Sequence, residues 1–93
     1  MHFVITCTDK PGQPELRQDN RPDHLDYLES HAGRIAAAGP TLGGDDAPNG
    51  SVLLMEFDDM AQAQAFAEND PYAKAGVFES VSIKPWKKVF PKE

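Results

Sequence analysis

The sequence holds a single cysteine, Cys7, among its 93 residues. No internal disulfide can form and no cysteine-based zinc site can be built. Cys7 lies in an apolar run, which reads as a small buried hydrophobe rather than a nucleophile. Basic residues are scarce as well: 9 Lys and Arg stand against 15 Asp and Glu, a net charge of −6. Phosphate neutralisation needs clustered cations, and the one cluster is Lys84, Lys87, Lys88 and Lys92 near the C-terminus, so nucleic acid is not an expected partner. No apolar run approaches the roughly 20 residues of a membrane span, and no charged-then-apolar leader opens the sequence. A cytoplasmic location without a membrane partner is expected.

Several chemical signatures are missing too. Gly43-Gly44 is not followed by Lys-Ser/Thr or by a helical pattern, so it is no phosphate-binding loop. Ser51, Ser80 and Ser82 have no nucleophile motif around them. His24 and His31 would lie about 10 Å apart along one helix, too far to share an ion through bonds of ~2 Å. No metal and no cofactor is expected.

What is present fits one domain over residues 1–93. Apolar residues make up 40%, enough for a small core that an oligomer would help to cover. His2 to Thr8 is rich in β-branched and aromatic residues and reads as a strand, with Phe3, Ile5 and Cys7 on one face. Asp9-Lys10-Pro11-Gly12 is a turn, and Gln13 to Asn20 is either loop or short helix. Asn20-Arg21-Pro22 reads as a helix start, with the helix running to about Ala38 and stopped by Gly39-Pro40. Leu25, Leu28, Ala32, Ile35 and Ala36 form its apolar stripe. On this reading His24 lies in the first turn, and both His24 and His31 border the stripe.

A short strand around Pro40 to Leu42 and a loop to Gly50 lead into Ser51 to Phe57, the clearest strand. Val52 and Leu54 face one way and Leu53, Met55 and Phe57 the other, so both faces are apolar. Helices on one side leave the second face to another copy of the chain, and Leu53, Met55 and Phe57 are the residues expected to meet it. Asp58-Asp59 caps a helix from Met60 to about Asn69, with Met60, Ala63, Phe66 and Ala67 buried. Pro71 ends that helix at or before Asp70, and Pro71 to Ala75 has room for one more turn, closed by Gly76. Val77 to Lys84 is the last strand, with Val81 and Ile83 inward. Trp86 and Phe90 follow in a tail that needs a neighbouring subunit or the sheet edge as cover. The order gives an α+β, ferredoxin-like βαββαβ fold: a four-stranded antiparallel sheet with helices on one face, dimerising through the sheet.

The chain resembles the YciI-like (YCII-related) proteins of the dimeric α/β-barrel superfamily. Asp9-Lys10-Pro11, Leu16-Arg17, Arg21-Pro22-Asp23-His24-Leu25-Asp26-Tyr27-Leu28, Ala38-Gly39-Pro40, Asn69-Asp70-Pro71-Tyr72 and Val81-Ser82-Ile83-Lys84-Pro85-Trp86 carry the likeness, in order and spacing. The resemblance implies a homodimer and a histidine–aspartate pair at the active site, which falls on His24 and Asp70. Such a pair does general acid–base work: the carboxylate fixes one imidazole nitrogen and leaves the other to move a proton. By spacing alone, an Asp before Pro is more often a cap or turn residue, and a His beside an apolar stripe more often a packed side chain. Arg17 and Arg21 are candidates to hold an anionic oxygen of a substrate, or to pair on the surface with Asp9, Glu15 or Asp19. Tyr72 lines the pocket or simply packs. The expected function is a small cofactor-independent lyase or isomerase acting on a small oxygenated or aromatic metabolite. The alternative is a non-catalytic small-ligand-binding or accessory domain.

Overall fold

Alternating apolar residues in the first strand face inward, and the sheet is built around them. In the computed structural model, which describes residues 1–91, β1 spans His2–Asp9, α1 Pro14–Ser30, β2 Ile35–Leu42, β3 Pro48–Glu56, α2 Met60–Glu68, α3 Pro71–Lys74 and β4 Phe78–Trp86. A single 3-10 turn, Ala32–Arg34, separates α1 from β2. Lys92, counted with the C-terminal basic cluster, lies outside the described residues.

The four strands form one antiparallel sheet in the order β2-β3-β1-β4, the ferredoxin-like α+β arrangement. β1 is central: Ile5 pairs with Leu53 on one side and Ile83 on the other. Phe3, Ile5, Cys7, Leu53, Met55 and Phe57 are buried with Ala63 and Phe66 of α2, and Tyr27 and Leu28 of α1 pack against them. No helix of the described residues is long and apolar enough to cross a membrane.

Three expectations are corrected. The first helix begins at Pro14, not at Asn20-Arg21-Pro22, and Gln13 is its cap position. Pro14 supplies the proline start, while Pro22 lies inside the helix, where both it and Gln18, whose carbonyl it cannot bond, are exposed residues. The Asn20 side chain donates to the Leu16 carbonyl at 2.8 Å instead of capping. His24 is therefore well inside the helix, and no first-turn dipole acts on it.

The same helix ends at Ser30, not Ala38. Ile35 to Ala38 belong to β2, where Ala38 pairs with Leu53 and Gly39 with Val52. Cross-strand pairing outweighs the helix preference of three consecutive alanines. Gly39-Pro40 thus lies within a strand, and β2 is an edge strand, where proline's missing N–H costs nothing. The expected stripe dissolves with it: Leu25 is exposed, and His24, Tyr27 and Leu28 face inward.

The third correction concerns which face lies open. Leu53, Met55 and Phe57 are covered by this chain's own helices. The uncovered face carries Val4, Val52 and Leu54 among Thr6, Thr8, Ser80 and Ser82. On β4, Ile83 packs against the core as expected, but Val81 is exposed. Trp86 ends β4 opposite His2, whose ring meets it edge-on at 6.1 Å, while Val89 and Phe90 are exposed.

Candidate functional site

Helical spacing puts Arg17, Arg21, His24 and Leu28 on one side of α1. That side forms a wall of a cleft of about 900 Å³. Ser51 and Leu53 of β3, Ala38 and Pro40 of β2, and Tyr72 also line it. Gly43, Asp45 and Asn49 of the β2–β3 hairpin form the rim, so the central loop borders the cleft.

Asp70 and His24 meet although 46 positions separate them. His24 Nδ1 lies 2.9 Å from Asp70 Oδ1, and the same oxygen accepts the Tyr72 backbone N–H at 2.9 Å. Asp70 is at once the cap of α3 and the partner of the imidazole, so the two readings of the sequence hold together. Asp70 is 3% exposed and His24 7%. A carboxylate only accepts, so Nδ1 donates in this bond, and in the neutral imidazole the lone pair is on Nε2. Among the described residues Nε2 has no partner, and no buried side-chain nitrogen or oxygen is left unbonded. Nε2 therefore opens into the cleft that His24 lines.

Arg17 is held rather than free. Its Nε donates to Asp9 Oδ2 at 2.7 Å, and one terminal nitrogen donates to the Gly50 carbonyl and to Ser51 Oγ, each at 2.7 Å. The guanidinium also lies 4.7 Å from the Tyr72 ring centre. The pairing with Asp9, one of the two sequence readings, is the arrangement found. It ties α1 to both β1 and β3. A Cβ at Gly50 would overlap the Cys7 carbonyl oxygen, so glycine lets β3 lie this close to β1 there. Arg21 lines the cleft and, among the described residues, makes no hydrogen bond or ion pair. Tyr72 both packs and lines the cleft: its ring stacks on His24 and meets Phe78 edge-on.

Sequence reasoning missed Ser51, dismissed as a nucleophile but an acceptor for Arg17, and Lys10, which lines the cleft mouth. Only the eight-residue step from Asp9 to Arg17 across a turn signalled this part of the site. Cys7 lies beneath it. Burial, with the nearby Asp70 and Asp9 carboxylates, pushes its thiol from 9.0 up to about 12, so it stays a neutral core side chain. His31 bonds the Tyr27 carbonyl at 2.9 Å and packs on Phe66, away from the cleft lining. Among the described residues no group of three His, Cys, Asp or Glu side chains gathers to hold a metal ion.

Known proteins share this fold and much of this sequence. Protein YciI of Escherichia coli is 42% identical over 97% of this chain and 100% of its own length. An uncharacterized protein of Haemophilus influenzae is 36% identical over the same shares. The solved structure of 5-chloro-2-hydroxyhydroquinone dehydrochlorinase (TftG) from Burkholderia phenoliruptrix, in complex with 2,5-dihydroxybenzoquinone, superposes with a TM-score of 0.90 at 40% identity, covering 94% of each chain. An antibiotic biosynthesis monooxygenase shares the fold alone, with a TM-score of 0.58 at 14% identity over 96% of this chain and 99% of its own. The YCII-related domain matches residues 1–87, and with relatives this similar over their whole length the chain belongs to the YCII-related family.

Proposed function

We propose that this protein is a small enzyme doing acid–base chemistry of the lyase or isomerase type on a small hydroxylated, aromatic or otherwise oxygenated molecule. His24 is the proton-transfer group and Asp70 its orienting partner. The observation that carries the reading is the 2.9 Å bond from buried Asp70 to His24 Nδ1, with Nε2 left open to the cleft. TftG, 40% identical, is by name a dehydrochlorinase, an enzyme that removes a proton and a chloride from a chlorinated hydroquinone.

The chemistry follows from the geometry. Nε2 takes a proton from a hydroxyl or from a carbon beside a carbonyl, and Asp70 stabilises the imidazolium that results. The electron pair left behind moves into the ligand. It either returns as a C–H or O–H bond at another atom, which is isomerisation, or expels a leaving group, which is elimination. No step needs an electron acceptor or a group carrier. Acid–base help of this type is worth roughly 10²–10⁴ in rate. Lysine and arginine side chains at the cleft suit a ligand that carries negative charge.

We also propose that two copies pair across the open sheet face. Val4, Val52 and Leu54 lie there uncovered by any helix of the chain. A small domain gains most from burying such a surface.

The test of the activity is turnover of a panel of small lactones, hydroxyquinols and related acids by the wild type, His24→Ala and Asp70→Asn. At least one compound should be converted, and His24→Ala should slow that conversion by roughly 10²–10⁴. Ligand binding with no turnover of any compound would replace this reading with a binding or accessory domain.

A further inference from the structure

The cleft runs against the charge of the chain. The protein carries −6, yet Lys10, Arg17 and Arg21 line the cleft against Asp9 and Asp45. Arg17 is neutralised by Asp9. Arg21 and Lys10 have no anionic partner among the described residues. Arg21 sits three residues before His24, a helix rise of about 4.5 Å, on the same side of α1.

Tyr72 supplies an independent observation. The residue is 1% exposed, and among the described residues its hydroxyl has no hydrogen-bond partner. Because no fully buried side-chain oxygen among the described residues is unbonded, the hydroxyl opens into the cleft that Tyr72 lines. A buried tyrosine normally finds a partner for its O–H. This one meets only what enters the cleft. Burial raises the Tyr72 pKa, while Arg17 and Arg21 draw it back, so the hydroxyl is a proton-bearing donor at neutral pH. The field of Arg21 that acts on this oxygen acts equally on any anionic oxygen placed beside it.

We propose that the Tyr72 hydroxyl and the Arg21 guanidinium form an anion subsite beside His24, so that the cleft takes its ligand as a planar ring bearing one ionised oxygen. The ionised oxygen accepts from Tyr72 and lies against Arg21. The neighbouring ring hydroxyl presents its proton to His24 Nε2. As that proton leaves, the added negative charge spreads through the ring to the oxygen already held, where the donors are in place before the reaction starts. The planar ring and the choice of reacting end rest on the acid–base reading above; the anion subsite itself does not.

The test is a calorimetric titration of the full chain with 2,5-dihydroxybenzoquinone, ionised at neutral pH, and with 2,5-dimethoxybenzoquinone, which has the same ring and no charge. The wild type should bind the anion at least about tenfold more tightly. Tyr72→Phe keeps the ring stacked on His24 and removes only the hydroxyl. It and Arg21→Gln should each cut the preference by roughly tenfold and leave the dimethoxy compound unaffected. The subsite is overturned by a wild-type preference under about twofold, by no binding of the anion at all, or by a preference that either variant keeps in full. Turnover is not read in this titration. A failed activity screen leaves a measured anion preference standing, and a lost preference leaves the His24–Asp70 chemistry standing.

Discussion

The imidazole of His24 lies flat on the ring of Tyr72, with centroids 3.9 Å apart and planes 12° from parallel. Asp70-Pro71-Tyr72 thus provides both the bond that orients the imidazole and the surface it rests on. A four-residue helix such as α3 has no stability of its own. Buried Tyr72 anchors it, and Asp70 caps it with the oxygen that also holds His24.

Asp70 therefore has two duties that substitutions separate. Asp70→Asn keeps an oxygen for the cap and removes the charge facing His24. Asp70→Ala removes both. Each should lower turnover by roughly 10² or more, but only the alanine variant should also lose the ~1–2 kcal/mol of a helix cap. Urea denaturation run beside the kinetics checks this; equal stability losses in the two variants would contradict the capping role.

Arg17 is a structural clamp. Arg17→Ala leaves mostly buried Asp9 without its counter-charge and frees the Gly50 and Ser51 oxygens. The expected cost is about 3 kcal/mol. Arg17→Lys should recover little of it, since an ammonium cannot match the planar fork that meets three partners. Thermal melting of both variants decides the matter, and a lysine variant as stable as the wild type would show that the fork is dispensable.

The parts of this architecture legible in the sequence are those whose signals are local. β1, β3 and α2 announce themselves through alternation, three- and four-residue spacing and the Asp59 cap, which accepts from the Gln62 N–H at 2.9 Å. Asp70-Pro71 marks its helix boundary for the same reason. β2 is not legible, because Ala36-Ala37-Ala38 prefers helix and becomes strand only by pairing with β3. The start of α1 is missed because two prolines, Pro14 and Pro22, offer the same signal and only packing chooses between them. The His24–Asp70 pairing spans 46 positions, and no periodicity reaches that far; family likeness points to it, and the coordinates give its geometry. Arg17's partners on β1 and β3 likewise depend on strand register.

Stability should fall in alkaline solution. The Cys7 thiol has its pKa raised from 9.0 to about 12 in the folded protein. Between those values the unfolded thiol has lost its proton and the folded one keeps it. The unfolded state then binds fewer protons, so folding stability declines as pH rises through this window, by up to ~1.4 kcal/mol per pH unit. Tyr27 and Tyr72, both raised above 10.0 by burial, act in the same direction. Below about pH 7 these groups contribute almost no slope. Denaturant midpoints from pH 8 to 11 measure it, and a flat profile would contradict the burial of Cys7. Iodoacetamide at pH 8 should label Cys7 only after unfolding.

The open sheet face gives the association prediction. A chain of 10.2 kDa should run in light scattering at twice that mass. Val52→Glu, placing a charge on the uncovered face of β3, should shift it to the monomer without unfolding it, because Val52 is already 38% exposed in the single chain. A monomeric wild type at micromolar concentration would remove the dimer proposal.

The rim hairpin is closed by its own bonds. Gly43 N–H donates to the Ala47 carbonyl at 2.9 Å, Asp46 N–H to the Gly43 carbonyl at 3.0 Å, and Ala47 N–H to Asp45 Oδ1 at 3.1 Å. None of these reaches α1 or α3, which carry His24 and Tyr72. Inheritance can therefore rewrite the hairpin, in length or in composition, at the small entropic cost of a surface loop while the imidazole and its carboxylate stay where they are. Such a fold can diverge in what its cleft admits while the His24–Asp70 bond keeps its geometry.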